Sequence, residues 1–312
     1  MNQFTKLSDV SDPHKLIDLA LDFKKDPYRS NSGERKTLGL LFLNPSLRTR
    51  LSTQKAAMQL GMQVMVMNMN EDGWKLEMQD GAVMKGDKQE HIKDAMRVIS
   101  EYVDIIGIRT FPGLKDRDTD YAESIMSAAV RYANVPVISL ESATRHPLQS
   151  LADLVTIREL QLRKPRVVLS WAPHPRALPQ AVSNSFLEWI KITDADVVVA
   201  CPAGYELASE FMDGTTVLND QNEAFADADI IYTKNWSSYK HYGEILPVSE
   251  DWTVNAEKMA LTNNAKFMHC LPIRRNVIAT DEVLDNHSVI YQQAGNRTWA
   301  AQAVIETILS AL

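Results

Sequence analysis

Side chains able to do chemistry recur at one kind of place in this chain, the polar end of an apolar run. In LLFLNPSLRTRLSTQKAAMQL (40–60) a buried-looking run passes through Asn44-Pro45-Ser46 into an amphipathic helix carrying Arg48 and Arg50 in its first turn. Ser46 reads as the cap of that helix. Helix formation does not explain the arginines, because cations sit poorly at the positive end of a helix dipole. An anion held against the first-turn N–H groups does explain them. Arg109 then closes DIIGIRT (104–110), Glu141 closes VPVISLE (135–141) with His146 just beyond, and Trp171 is followed by His174. Lys234 and the pair His269-Cys270 end two later runs. A site built from these ends is cationic, although the chain carries a net charge of -7.

Each residue also has an ordinary structural reading. Arg109 suits a salt bridge, His146 before Pro147 suits a helix cap, and Cys270 suits an inert buried thiol. Trp74, in the polar stretch NEDGWKLE (70–77), is costly to expose unless it covers something.

The elements that must position these groups are short apolar or β-branched runs separated by segments of helical spacing. The runs are TLGLLFL (37–43), QVMVMNM (63–69), DIIGIRT and VPVISLE, then RVVLSWA (166–172), DVVVACP (196–202), DIIYTKN (229–235), KFMHCLP (266–272) and SVIYQQ (288–293). Between Glu90 and Tyr102, Ile92, Ala95, Met96 and Ile99 fall on one helical face. Alternation of this kind predicts an α/β protein with two doubly wound parallel sheets, covered on both faces. The halves are read as 1–147 and 148–296, bridged by a helix at about 146–161. A last helix at about 297–312 packs back on the first half. In open α/β sheets ligands bind beyond the carboxyl ends of the strands, where the polar residues above lie.

Composition narrows the function. A hydrophobic fraction of 45% and a charged fraction of 23% are ordinary for a globular chain. There is no basic tail or Lys/Arg run, which argues against a nucleic-acid partner. No window reaches the roughly 18–20 apolar residues of a membrane span, and MNQFTKLSDVSDPHK lacks a signal region, so a cytoplasmic protein is expected. Two cysteines, Cys201 and Cys270, make no disulfide framework. Neither paired-Cys spacing nor a carboxylate–His cluster suggests a metal, and GxGxxG and GxxxxGK[ST] are absent, so no metal or cofactor is expected.

Taken in order, NPSLRTR (44–50), Trp74, Arg109, HPLQSLAD (146–153) and HCLP (269–272) resemble the aspartate/ornithine carbamoyltransferase superfamily. The likeness runs over essentially the whole chain. DGW, GAVMKGDKQEHI (81–92), MALTNNAKFMHCLPIRRNV (259–277) and GNR (295–297) look like its branch acting on N-acylated ornithines, the acetyl and succinyl compounds. The resemblance implies a carbamoyl phosphate site of Ser46, Leu47, Arg48, Thr49, Trp74, Arg109, His146, Gln149 and Arg297. Thr49, Arg109 and His146 would bind the carbamoyl oxygen as it gains negative charge. Glu141, His174, Lys234, Cys270, Leu271 and Arg274 match the acceptor-binding positions. Cys270 would orient the attacking amine without becoming acylated. Family likeness further implies a homotrimer in which Trp74 reaches a neighbouring site, and a knot in the second domain around WAPHPRALP (171–179).

The acyl group is read from Gln89. Aligned through GDKQEHI, this position carries glutamate in the acetyl enzymes and an uncharged residue, typically proline, in the succinyl enzymes. Glutamine fits neither pattern, yet it removes the repulsion a carboxylate would exert on a succinyl group. Ile278 stands where some acetyl enzymes carry lysine. The succinyl acceptor is favoured, with the acetyl acceptor as the alternative. A non-catalytic paralogue of the same fold and a putrescine-type transferase are further rivals. The intact carbamoyl phosphate positions speak against the first, and the acceptor residues Glu141, Lys234 and Arg274 against the second.

Overall fold

A computed structural model describes residues 1–69 and 73–312; Asp72 of the DGW motif lies outside them. The strands are Gln3–Phe4 (β1), Thr37–Phe42 (β2), Gln63–Asn68 (β3), Leu76–Glu77 (β4), Glu90–His91 (β5), Ile105–Arg109 (β6), Val137–Glu141 (β7), Arg166–Trp171 (β8), Asp196–Ala200 (β9), Thr216–Leu218 (β10), Ile230–Lys234 (β11) and Lys266–Met268 (β12). They form two five-stranded parallel sheets, in the orders β1-β7-β6-β2-β3 and β10-β9-β8-β11-β12. A small pair, β4-β5, stands apart.

Both sheets reverse direction at the same point of their winding. In the first, the chain steps outward from β2 to β3, then returns to the other side of β2 as β6. In the second it steps from β8 to β9 and β10, then returns beside β8 as β11. The crevices at such reversals are where α/β sheets bind ligands. Register brings the chemistry there, since Phe42 pairs with Arg109, Arg109 with Glu141, and Trp171 with Lys234.

Strands buried on both faces read as continuous apolar runs, and the central strands do so, with all of β6 and β7 and most of β2 and β8 buried. One core cluster extends from the first sheet through the bridging helix into the second, and a smaller one covers the other face of the first sheet. The bridging helix, Pro147–Glu159, is buried from Pro147 to Ile157. Helix Ile290–Leu309 packs against it and against helices Pro13–Lys25 and Arg48–Gln59.

Three expectations need correction. SVIYQQ is not a strand, because only Ser288 makes a bridge, to Phe267, and the helix has begun by Ile290. The helix therefore begins seven residues earlier than the expected 297. Its buried Ile290, Gln293, Arg297, Ala301, Val304 and Ile308 follow the helical period, which a short apolar window cannot distinguish from a strand. Ser46 is not the cap of its helix either. The cap position is Leu47, and no side-chain cap bond is made there. Similarly His146 occupies a cap position without making a cap bond.

Deep burial of the bridging helix makes it sensitive to cavities. Leu151→Ala, at a fully buried position, should cost about 2–5 kcal/mol of stability, read as a lower midpoint in urea denaturation.

Candidate active site

Where the two reversals face one another they enclose a cavity of about 270 Å³. The loop after β2 and the start of the Arg48–Gln59 helix bring Ser46, Arg48 and Thr49 to it. Strand ends β6 and β7 bring Arg109 and Glu141, and the bridging helix brings His146 and Gln149. The second sheet supplies His174, Lys234, Cys270 and Leu271, and the last helix supplies Arg297.

Arg109 fixes much of this geometry. Its Nη2 donates to Glu141 Oε2 at 2.8 Å, and its Nη1 donates to the carbonyls of Asn44 and Pro45 at 3.1 and 2.7 Å. Its guanidinium stacks on Phe111 at 4.1 Å. Arg297, buried, donates to the Thr49 hydroxyl. Four cations, Arg48, Arg109, Lys234 and Arg297, thus share the cavity with one carboxylate, Glu141. Burial drives the Arg48 and Arg297 pKa values down from the ordinary guanidinium value, which is the direction expected of cations gathered in a dry space. Burial pushes Glu141 up, while Arg109, Arg297 and Lys234 pull it back.

His146 Nε2 lies 3.7 Å from Glu141 Oε2. Burial first, then Arg297, Arg109 and Lys234, hold its pKa well below the ordinary value of 6.5. The ring is therefore neutral, with one N–H to donate. Burial also raises the Cys270 thiol, so the residue is a thiol and not a thiolate nucleophile. His174 accepts from Arg274 Nε on Nε2 at 3.3 Å, which leaves the proton on Nδ1, 3.0 Å from the Arg176 carbonyl that accepts it. Lys234 donates to the Asn235 carbonyl at 3.0 Å.

Several expected residues lie elsewhere. Leu47 points outward at 67% exposure, so only its backbone could serve the site. Arg274 is exposed, and its side chain reaches the cavity wall by donating to His174. Trp74 and Gln89 sit on the excursion that carries β4 and β5, outside the lining of this chain's own cavity. Trp74 is half exposed, and its Nε1 donates to Glu90 at 2.8 Å; Gln89 donates its N–H to the Lys75 carbonyl. The sequence reading missed Phe111, Val182, Asn235 and the buried Asp153. Only Asp153 left a signal, a charge one helical turn after Gln149 in an otherwise buried helix. Among the described residues, no group of three or more His, Cys, Asp or Glu could hold a metal ion, and no helix is long and apolar enough to cross a membrane.

This geometry agrees with what the chain is related to. Residues 2–159 match the carbamoyl-P binding domain of aspartate/ornithine carbamoyltransferases, and residues 179–308 match their Asp/Orn binding domain. The chain belongs to this carbamoyltransferase family. It is 49% identical to the N-succinylornithine carbamoyltransferase of Bacteroides thetaiotaomicron, over the whole of both chains. Identity to the N-acetylornithine carbamoyltransferase of Xylella fastidiosa is 36%, covering 96% of each. Among solved structures, an N-acetyl-L-ornithine transcarbamylase complexed with acetylcitrulline superposes with a TM-score of 0.91 at 34% identity, over 99% of each chain. A glutamate-to-alanine variant of such an enzyme, complexed with carbamyl phosphate and N-succinyl-L-norvaline, gives 0.92 at 35% identity, covering 99% of this chain and 100% of that one.

The buried histidines give a direct test of the site's electrostatics. Burial also holds His269 well below 6.5. The ring-proton resonances of His146 and His269 should stay still from about pH 8 to about pH 6, across the range where an ordinary imidazole titrates. The unfolded chain protonates both as pH falls through 6.5 while the folded chain does not, so both withdraw stability toward acid pH.

Proposed function

We propose that this carbamoyltransferase moves the carbamoyl group of carbamoyl phosphate to the δ-amine of N-succinyl-L-ornithine. The products are N-succinyl-L-citrulline and phosphate, in arginine biosynthesis, and the compartment is the cytoplasm. What carries the reading is a cavity holding four cations and one carboxylate, beside a helix whose first turn no side chain caps. A dianionic ligand satisfies both features at once.

In this reading residues 1–147, completed by 297–312, form the carbamoyl phosphate half, and 148–296 the acceptor half. The first-turn N–H groups from Ser46 to Thr49, with Arg48, take the phosphate; Arg297 steadies Thr49. Thr49, Arg109 and neutral His146 donate to the carbamoyl oxygen, and Gln149 accepts from the carbamoyl nitrogen. The neutral δ-amine attacks the carbamoyl carbon and the carbonyl electrons move onto oxygen. They return as the bond to the phosphate oxygen breaks, and the amine's proton passes to the departing phosphate. Donors aimed at that oxygen are worth most when it is charged, and the rest of catalysis is orientation. Lys234, with Arg274 behind His174, faces the acceptor's carboxylate. Glu141, Cys270 and the Leu271 carbonyl flank the amine. The Pro-rich loop 171–179, tied to Ser237 through the Leu178 carbonyl, is the edge of the proposed knot.

The acceptor's acyl group is assigned from Gln89 and from the Bacteroides relative. An uncharged side chain there admits a succinyl carboxylate that a glutamate would repel. The buried Ile278 adds no lysine to the cavity wall. Initial rates with carbamoyl phosphate should favour N-succinylornithine over N-acetylornithine and free ornithine. Gln89→Glu should lower kcat/KM for the succinyl compound about ten- to hundredfold. A wild-type preference for the acetyl compound would overturn the assignment of Gln89, and activity with ornithine alone would overturn the branch.

Assembly as a homotrimer is supported by the placement of Trp74 and Gln89 away from the chain's own cavity. Leu47, Leu51 and Met58 form an exposed stripe on one face of their helix, and an open hollow joins Leu47 and Leu51 to Asn68, just before the excursion. Trp74→Ala and Arg109→Ala should each be inactive. Reassembled together at equal amounts, they should restore activity in about one site in four, the share expected when each site draws on two subunits. No recovery would mean that Trp74 serves its own chain.

A further inference from the structure

Behind the cavity lies a buried carboxylate that the chemistry above leaves without a role. Asp153 is fully buried on the bridging helix, four residues after Gln149. Its Oδ1 accepts from Nε2 of Gln149 and from Nε2 of Gln293, each at 2.7 Å, and its Oδ2 accepts from the Tyr232 hydroxyl at 3.0 Å. The donors come from the bridging helix, the last helix and strand β11, so one side chain joins both halves of the site.

We propose that Asp153 is a positioning residue that sets the Gln149 amide with its oxygen toward the carbamoyl nitrogen. The inference rests on reading the cavity as the carbamoyl phosphate site. An ionised carboxylate has no hydrogen to give, so only the NH₂ end of a glutamine can face it. Gln149 commits that end to Asp153, and its Oε1 is left buried with no hydrogen-bond partner in the protein. Gln149 lines the cavity, and an acceptor in that state is completed by the N–H of a bound amide.

The same rule orients Gln293. With its Nε2 on Asp153, its Oε1 accepts the His269 N–H at 2.9 Å, and His269 Nδ1 in turn accepts the Leu271 N–H at 2.9 Å. A single carboxylate therefore sets the acceptor for one substrate and steadies the loop of Cys270 and Leu271 for the other. Burial raises the Asp153 pKa to about 6, against the pull of Gln293, Gln149, Tyr232 and Arg297. The Cys270 thiol is also close enough to feel its charge. Above that pH the carboxylate is ionised and the amide has one orientation.

Asp153→Asn puts an amide where Gln149 needs a pure acceptor. Calorimetric titrations would use inorganic phosphate and a phosphonate ending in a primary amide, alongside steady-state kinetics. Phosphate affinity should stay within about twofold. The amide ligand should bind about tenfold more weakly, and KM for carbamoyl phosphate should rise with it, the loss of one net hydrogen bond. Asp153→Glu, which keeps the acceptor, should recover part of the difference. Equal losses for both ligands, or none, would overturn the assignment. Wild-type protein that binds neither ligand would instead overturn the site reading itself. Should Asp153→Asn fail to fold, the wild type labelled with ¹⁵N-glutamine carries the test. The Gln149 side-chain signal, assigned by its loss in Gln149→Ala, should move with a midpoint near 6. A signal fixed between about pH 5 and about pH 8 would refute the proposal.

Discussion

The buried ion pair between Arg109 and Glu141 holds the site together. Burying a pair of charges is expensive unless further hydrogen bonds satisfy them, and here they do, because Arg109 also bonds the carbonyls of Asn44 and Pro45. The loop that follows β2 is thereby tied to strands β6 and β7, and the helix carrying Arg48 starts from a fixed point. Glu141 offsets only one of four cations. The cavity therefore carries a surplus of positive charge, which an anion would offset.

Arg48 Nε, Arg109 Nε, His146 Nδ1 and Gln149 Oε1 are all buried without a hydrogen-bond partner in the protein, and all belong to residues lining the cavity. Each such group costs about 1–3 kcal/mol in a fold that never fills it. Two helices also start here without a side-chain cap, at Leu47 and at His146. A bonded cap at Leu47 would stabilise that helix, but it would occupy the N–H groups proposed for the phosphate. Local stability is given up where the ligand is expected to restore it.

The same trade explains which features were legible in the sequence. Runs such as TLGLLFL and DIIYTKN announced their strands because a parallel strand buried on both faces has no other way to read. Pro147 announced the bridging helix. Ser46 misled because a serine before a helix normally caps it, and only the three-dimensional arrangement shows the first turn left open. The run at 288–293 misled because Gln292 and Gln293 look like the polar end of a strand, while Gln293 is in fact a buried member of the Asp153 network. The two-residue strands β1, β4 and β5 were too short to leave a period. The placement of Gln89 outside its own cavity left no local pattern, since it depends on how the excursion folds back through β4 and β5, whereas the polar surroundings of Trp74 and the family likeness already set that residue apart from its own site.

Neutrality is the other half of the electrostatics. His146 and His269 stay uncharged because burial and the nearby cations both depress their pKa values, and Cys270 stays a thiol because burial outweighs the pull of Lys234 and Arg297. A protonated histidine would add a fifth positive charge beside Arg109 and Arg297, and a thiolate would compete with the amine for the carbamoyl carbon. The positive charge is thus confined to guanidinium and ammonium groups, and the groups nearest the reacting atoms are left as single donors and acceptors of fixed direction. Such an arrangement activates a carbonyl by where its hydrogen bonds point. It also explains why so many of these residues are anchored from behind, with Gln149 on Asp153, Thr49 on Arg297 and the Cys270–Leu271 loop on His269. In the proposed reaction, which has no covalent step, misplacing one donor removes stabilisation that no other group supplies.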